Sequence, residues 1–534
     1  MVLESIETII ALLASLIVLA VIAQRFNFPY PILLVFAGLA IAAIPGLPDF
    51  TVDPDVVFVV FLPPLIFSSA WLFPWDEFRA NFRRIMFMAL ILVLLTITTV
   101  AFSSYWLIPG LTLAAAFVLG AVVSPPDAVA ATAILKNVGL PRRVENVLEG
   151  ESLVNDASSL VAYQVAVAAV VTGSFSWRSA GLDFIWMSVV GIAVGLLLAV
   201  LVERFCKLIT DSSVEITLLF IMPFIAYLGA EAAEASGILA VVSLGMYLGH
   251  RKFGFMTTDS RLQSNTFWTI VTFVLNGVVF LLIGLEIPIV VSVLLDKMEV
   301  WQMVLYAGTI CLVVIASRFL WILAVTRIFR GWLSPFNFDM DQLSKKELVV
   351  LSWAGMRGVV SLAAALAIPR LTDANEEFPD REIILFVCCA VIFTTLTLNG
   401  LTLPMLVRRL GVQEERNPED ELRLRQGMLK HTLAYIDGRI ASESEQWVID
   451  DLARLRAHTK DRLEAVESRI DAKGRKKALA PHFEFQLFID VMEEQRRYLR
   501  EAQLGGEISD YLRTTVEHDI DLEEHRVRKI AERL

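Results

Sequence analysis

Eight residues, Glu149-Gly150-Glu151-Ser152-Leu153-Val154-Asn155-Asp156, gather carboxylates, an amide and a hydroxyl, and Ser158 and Ser159 follow at once. On a helix turning 100° per residue, Ser152, Asp156 and Ser159 share one face, with Glu151, Asn155 and Ser158 on the adjacent one. A hard cation is bound through oxygens, and these are oxygens able to replace its water. In a dehydrated site burial disfavours a bare carboxylate. Such a group holds a proton or a cation, hardly both, and that competition is what exchange requires. Two further segments carry the same kind of signal. Ser124-Pro125-Pro126-Asp127 removes two successive amide donors and must break a helix. Asp127 then stands where a carboxylate can cap the second half-helix. Gly355-Met356-Arg357-Gly358 sets a permanently charged guanidinium between two helix-weakening glycines. A buried arginine needs a carboxylate partner, and Glu151 is the expected one, which leaves Asp156 free.

These residues lie in a chain built for lipid. Of its 534 residues 56% are hydrophobic and only 19% are charged. Apolar runs of roughly 18 residues or more, the length that crosses a bilayer core, recur from Ile6 to Leu410. They lack two-residue alternation, so the spans are helices rather than barrel strands. The reading gives about 13 of them: 3–23, 31–44, 55–73, 84–107, 112–135, 152–172, 182–202, 214–231, 236–249, 267–285, 300–326, 347–369 and 382–407. The fold class is therefore all-α, a polytopic membrane bundle over 1–410 followed by a polar, helical segment over 411–534. With the N-terminus outside, the inside loops hold 18 Lys and Arg and the outside loops four. By the positive-inside rule this makes the C-terminal segment cytoplasmic. No cleavable signal precedes the first span, since Glu4 and Glu7 flank its start.

Charge inside a bundle marks function by default. The fifth and twelfth spans, each interrupted, are seven apart in the count. Interrupted helices at matching places in two inverted halves point to a transporter's binding site. Other classes fit less well. No nucleophile with a matching base and no phosphate loop speaks for an enzyme. The net charge of −11 speaks against nucleic acid as a partner. No Cys or His spacing suggests a metal centre or a cofactor.

At these three segments, and at Leu62-Pro63-Pro64-Leu65-Ile66-Phe67, the chain resembles the monovalent cation:proton antiporter family 1 of sodium/proton exchangers. The resemblance implies a homodimer in which a six-helix core with two broken, crossing helices moves like an elevator against a dimer scaffold. It implies Asp156 as the carboxylate shared by cation and proton, with Ser152 as a nearby ligand of the transported cation. Asn155-Asp156 matches the electroneutral branch, and the glutamate at Glu151 is paired there with the arginine at Arg357. The transported Na⁺ or K⁺ and H⁺ are cargo, and no cofactor is implied. Two departures stand out. Pro126 occupies the family's usual threonine position, so any ligand there is a main-chain carbonyl. Ser68 and Ser69 stand where many members have an acid, which leaves the choice between Na⁺ and K⁺ open. Expected surroundings are a plasma membrane, the inner one in a Gram-negative cell, and a regulator for the tail. A cation channel, with its symmetric pore, and a proton-coupled solute symporter are the rival readings.

Overall fold

The computed structural model describes residues 2–26, 28–44, 57–73, 75–135, 140–173, 177–327, 344–412, 418–472, 481–504, 516–517, 520–521 and 523–524. Lys136 and Arg330, counted above for orientation, lie outside them. The described chain is almost wholly helical and divides into two compact units, 1–414 and 415–534.

In the first unit α1 is Val2–Arg25, α2 Tyr30–Ala42, α3 Leu62–Leu72, α4 Trp75–Leu107, α5 Leu113–Val123, α6 Ala128–Leu135 and α7 Arg142–Val171. Then follow α8 Trp177–Cys206, α9 Ser212–Glu231, α10 Gly237–Phe255, α11 Thr258–Leu295 and α12 Val300–Arg327, then α13 Lys345–Trp353, α14 Val359–Leu366 and α15 Arg381–Leu410. Each expected span coincides with one helix or with two consecutive pieces. Among the described residues seven helices are long and apolar enough to cross a membrane. The second unit contains α16 Pro418–Ser442, α17 Gln446–Ala472 and α18 Pro481–Leu504.

Local chemistry sets the helix starts. Thr112 accepts from the Ala115 amide, Ser236 from Leu239 and Thr257 from Ser260, each filling an orphan donor of a first turn. Ser344 and Glu347 form a reciprocal capping box ahead of α13. Pro63 and Pro64 sit in the first turn of α3, where a missing amide costs nothing.

Packing sorts the membrane unit into two groups. In one, α4, α5, α6, α7, α12, α13, α14 and α15 pack mainly on one another. In the other, α1, α2, α3, α8, α9, α10 and α11 do. An aromatic cluster of Phe67, Trp71, Phe220, Phe267 and Trp268 knits the second group together. In the first group α5 is buried almost all round, which places the Pro125-Pro126 break at the centre of that group.

Candidate functional site

Both interruptions form where the sequence puts them. Residues 124–127 separate α5 from α6, and residues 354–358 separate α13 from α14. The two gaps meet. The Asp127 amide donates to the Met356 carbonyl at 2.7 Å. The Asp127 carboxylate accepts from the Ala130 amide through Oδ1 at 3.0 Å and from the Val359 amide through Oδ2 at 3.4 Å. One acid thus caps the N-terminal ends of α6 and α14 together, where helix dipoles favour negative charge. Gly358 is required for this approach, because a Cβ there would overlap the Asp127 carboxylate. The Arg357 amide, freed by the break, donates to Thr395 Oγ1 of α15 at 3.0 Å.

Helix α7 crosses beside this junction. Ser152 Oγ donates to the Pro126 carbonyl at 2.9 Å, so the carbonyl orphaned by the broken helix is met by the residue one turn before Asp156. Ser152, Asn155 and Glu151 are buried, and Asp156 is half-buried. The charges acting on Asp156 are those of Asp127 and Arg357. Among the described residues its carboxylate makes no hydrogen bond or ion pair.

The Glu151–Arg357 pair is corrected by the geometry. Glu151 is held by Arg318 of α12, with Nη1 to Oε1 at 2.9 Å and Nη2 to Oε2 at 3.2 Å. Arg318 Nε also donates to the Leu351 carbonyl at 3.2 Å, near the C-terminal end of α13, where a cation is favoured. Gly355 makes room for this, since a Cβ there would stand 2.5 Å from the Arg318 side chain. Asn155 Nδ2 donates to the same Glu151 at 3.4 Å, and its Oδ1 is buried without a hydrogen bond. Arg357 is buried too, with Nε and Nη1 unbonded, facing the charges of Arg318, Glu151 and Asp156. Motif proximity favoured Arg357 as the partner. The ion pair with Glu151 is instead made by Arg318, from a different helix.

Ser68 and Ser69 lie on α3, in the second group of helices. Both hydroxyls bond the Leu65 carbonyl, and Ser68 also receives Thr272 Oγ1 at 2.9 Å.

The sequence model of the transmembrane sodium/hydrogen exchanger family matches residues 10–409. The chain belongs to the sodium/hydrogen exchanger family. Among its relatives is the uncharacterized Na⁺/H⁺ exchanger YjcE of Escherichia coli, 30% identical over 96% of this chain and 97% of that protein. Another is a sodium, potassium, lithium and rubidium/H⁺ antiporter of Bacillus pumilus, 35% identical over 75% of this chain and 62% of that protein. The fold is that of the sodium proton antiporter MjNhaP1 from Methanocaldococcus jannaschii, with a TM-score of 0.61, 21% identity, and coverage of 77% of this chain and 99% of that one. This exchanger is thus a multi-pass membrane protein and a transporter of the cation:proton antiporter type, not an enzyme.

Proposed function

We propose that this exchanger moves Na⁺, with K⁺ and Li⁺ as further candidates, against H⁺ in a one-to-one cycle in which cation and proton compete for Asp156. The observation that carries the reading is the unshared Asp156 carboxylate beside charges that are otherwise committed. Glu151 is occupied by Arg318 and Asp127 by two helix ends. Ser152 Oγ and the Pro126 carbonyl, bonded to each other at 2.9 Å, supply neutral oxygens for a dehydrating cation next to that carboxylate. The wide cation range in the name of the Bacillus pumilus relative motivates testing more than Na⁺.

Charge balance supplies the coupling. The junction holds two arginines, Arg318 and Arg357, and three carboxylates, Asp127, Glu151 and Asp156. With one proton or one monovalent cation on Asp156 it sums to zero; bare, it carries a negative charge that hydrocarbon resists. The site then crosses loaded and does not return empty. The group of helices around the junction slides against the other group, as an elevator does. The working form is a homodimer in the plasma membrane with its N-terminus outside, its transport domain over 1–410 and the tail 411–534 in the cytoplasm, available to a regulator.

The test uses proteoliposomes with an internal pH dye and an imposed pH gradient. Adding Na⁺, K⁺ or Li⁺ should dissipate the gradient in wild type and leave it intact in Asp156→Asn. Full exchange by a folded Asp156→Asn would assign transport to another carboxylate. A folded wild type that moves protons with none of these cations would overturn the reading.

A further inference from the structure

Away from the junction, a cavity of about 500 Å³ runs between α4 and α7 of one group and α8 and α10 of the other. Its α10 wall is a single helical stripe from Leu239 to His250, and its α8 wall steps by fours from Phe184 to Leu196. At 1.5 Å per residue the α10 stripe is about 16 Å long. The cavity is therefore a slot parallel to the helices. Its walls are largely apolar, and two of its three serines, Ser158 and Ser188, spend their hydroxyls on the Val154 and Phe184 carbonyls at 2.8 and 2.7 Å. Phe82, Ile192 and Leu196 at its rim are exposed.

One end differs. There the Trp75 and His250 rings meet at a tilt with centroids 5.4 Å apart, and the Tyr247 hydroxyl donates to Glu203 at 2.8 Å. Glu203 is buried and shared by two half-exposed cations, Lys207 at 3.0 Å and Arg251 at 3.6 Å. One positive charge is left over at this mouth. The surplus extends along the helix ends that form it. Arg79 stands in the first turns of α4, Arg204 and Lys207 lie at the end of α8, and Arg251 lies near the end of α10, against Glu203.

We propose that this slot is a binding site for an anionic phospholipid, with one acyl chain along the α8–α10 walls and the phosphate among Lys207, Arg251 and His250. The apolar length suits a chain and nothing that must hydrogen-bond. The basic mouth selects the headgroup, as juxtamembrane cations attract anionic lipid. Leu153, Val154 and Ala157 of the slot flank Ser152 and Asp156 on α7, so a chain seated there lies between the two helix groups and against the helix that carries the transport carboxylate.

The test is lipid retention. The protein is reconstituted in vesicles of phosphatidylcholine with phosphatidylglycerol, extracted in mild detergent and examined by native mass spectrometry. Phosphatidylglycerol should be enriched over its share of the vesicle. Ser243→Phe, which fills the slot from α10, and Ser188→Phe, which fills it from α8, should each lower retention several-fold without moving the melting temperature. Lys207→Gln with Arg251→Gln, on the exposed mouth, should abolish the headgroup preference. No enrichment in wild type, unchanged retention in a folded slot-filled variant, or unchanged preference in the double charge variant would each overturn the proposal. Retention is read with no ion gradient, so it stands or falls separately from exchange.

Discussion

Arg318 can remain in the bundle because its charge is paired with Glu151, which accepts from Nη2 and lies against Nη1, while Nε donates to the carbonyl of Leu351. Removing one partner of a buried pair leaves the other uncompensated, at a cost of about 3–5 kcal/mol. Arg318→Met is therefore expected to lower the melting temperature sharply, and Glu151→Gln with Arg318→Met to recover part of the loss. Arg357→Met breaks no ion pair and should cost less stability while reducing exchange, because it removes a charge acting on Asp156. Thermal unfolding of the single and double variants checks this. A larger coupling of Glu151 to Arg357 than to Arg318 would refute the pairing. The carboxylate-rich run on α7 was legible in the sequence because its spacing is local to one helix. Arg318 and Glu151 stand 167 positions apart, and no periodicity within a helix reports which residue of another helix faces it.

At the scale of elements, the two interruptions were legible for the same local reason. Pro125-Pro126 cannot continue α5, and Gly355 and Gly358 bracket the gap between α13 and α14. What the sequence could not show is that one acid serves both second halves, since that depends on the crossing. Asp127→Ala removes two caps, each worth about 1 kcal/mol, and a charge lying at two helix N-termini. Asp127→Asn keeps one side-chain oxygen, enough to accept from one of the two amides, Ala130 or Val359. The melting temperature should fall for both variants and further for alanine, as scanning calorimetry in detergent would register. Equal melting points for the two would mean that the caps carry no stability. Span ends were read less well than span centres. Helix α4 begins at Trp75 rather than 84, and α11 runs from Thr258 to Leu295 rather than 267–285. A helix continues past its lipid-compatible stretch wherever capping and backbone hydrogen bonds sustain it, and apolarity reports only that stretch.

In the proposed cycle the decisive quantity for the whole molecule is the charge that the junction carries while it crosses. A net unit charge moved through 100 mV is worth about 2.3 kcal/mol, a factor of about 50 in an equilibrium. A junction neutral in both loaded forms should feel none of this, so wild-type exchange should be unchanged when a potassium diffusion potential is imposed with valinomycin and Na⁺ is the driving ion. Asp127→Asn alters the sum by one. Its loaded junction is positive, and its empty junction, with Arg318 and Arg357 against Glu151 and Asp156, is neutral. The empty form then has no electrostatic reason to wait for an occupant. In this variant Na⁺ should cross without a counter-proton, and a negative interior should accelerate its entry. Radioactive ²²Na⁺ uptake read alongside the pH dye separates the cases. Uptake that outruns proton efflux and rises with the imposed potential is the expected result. Uptake still matched one for one by protons would show that coupling is enforced by the fit of the two helix groups rather than by the charge balance at their centre.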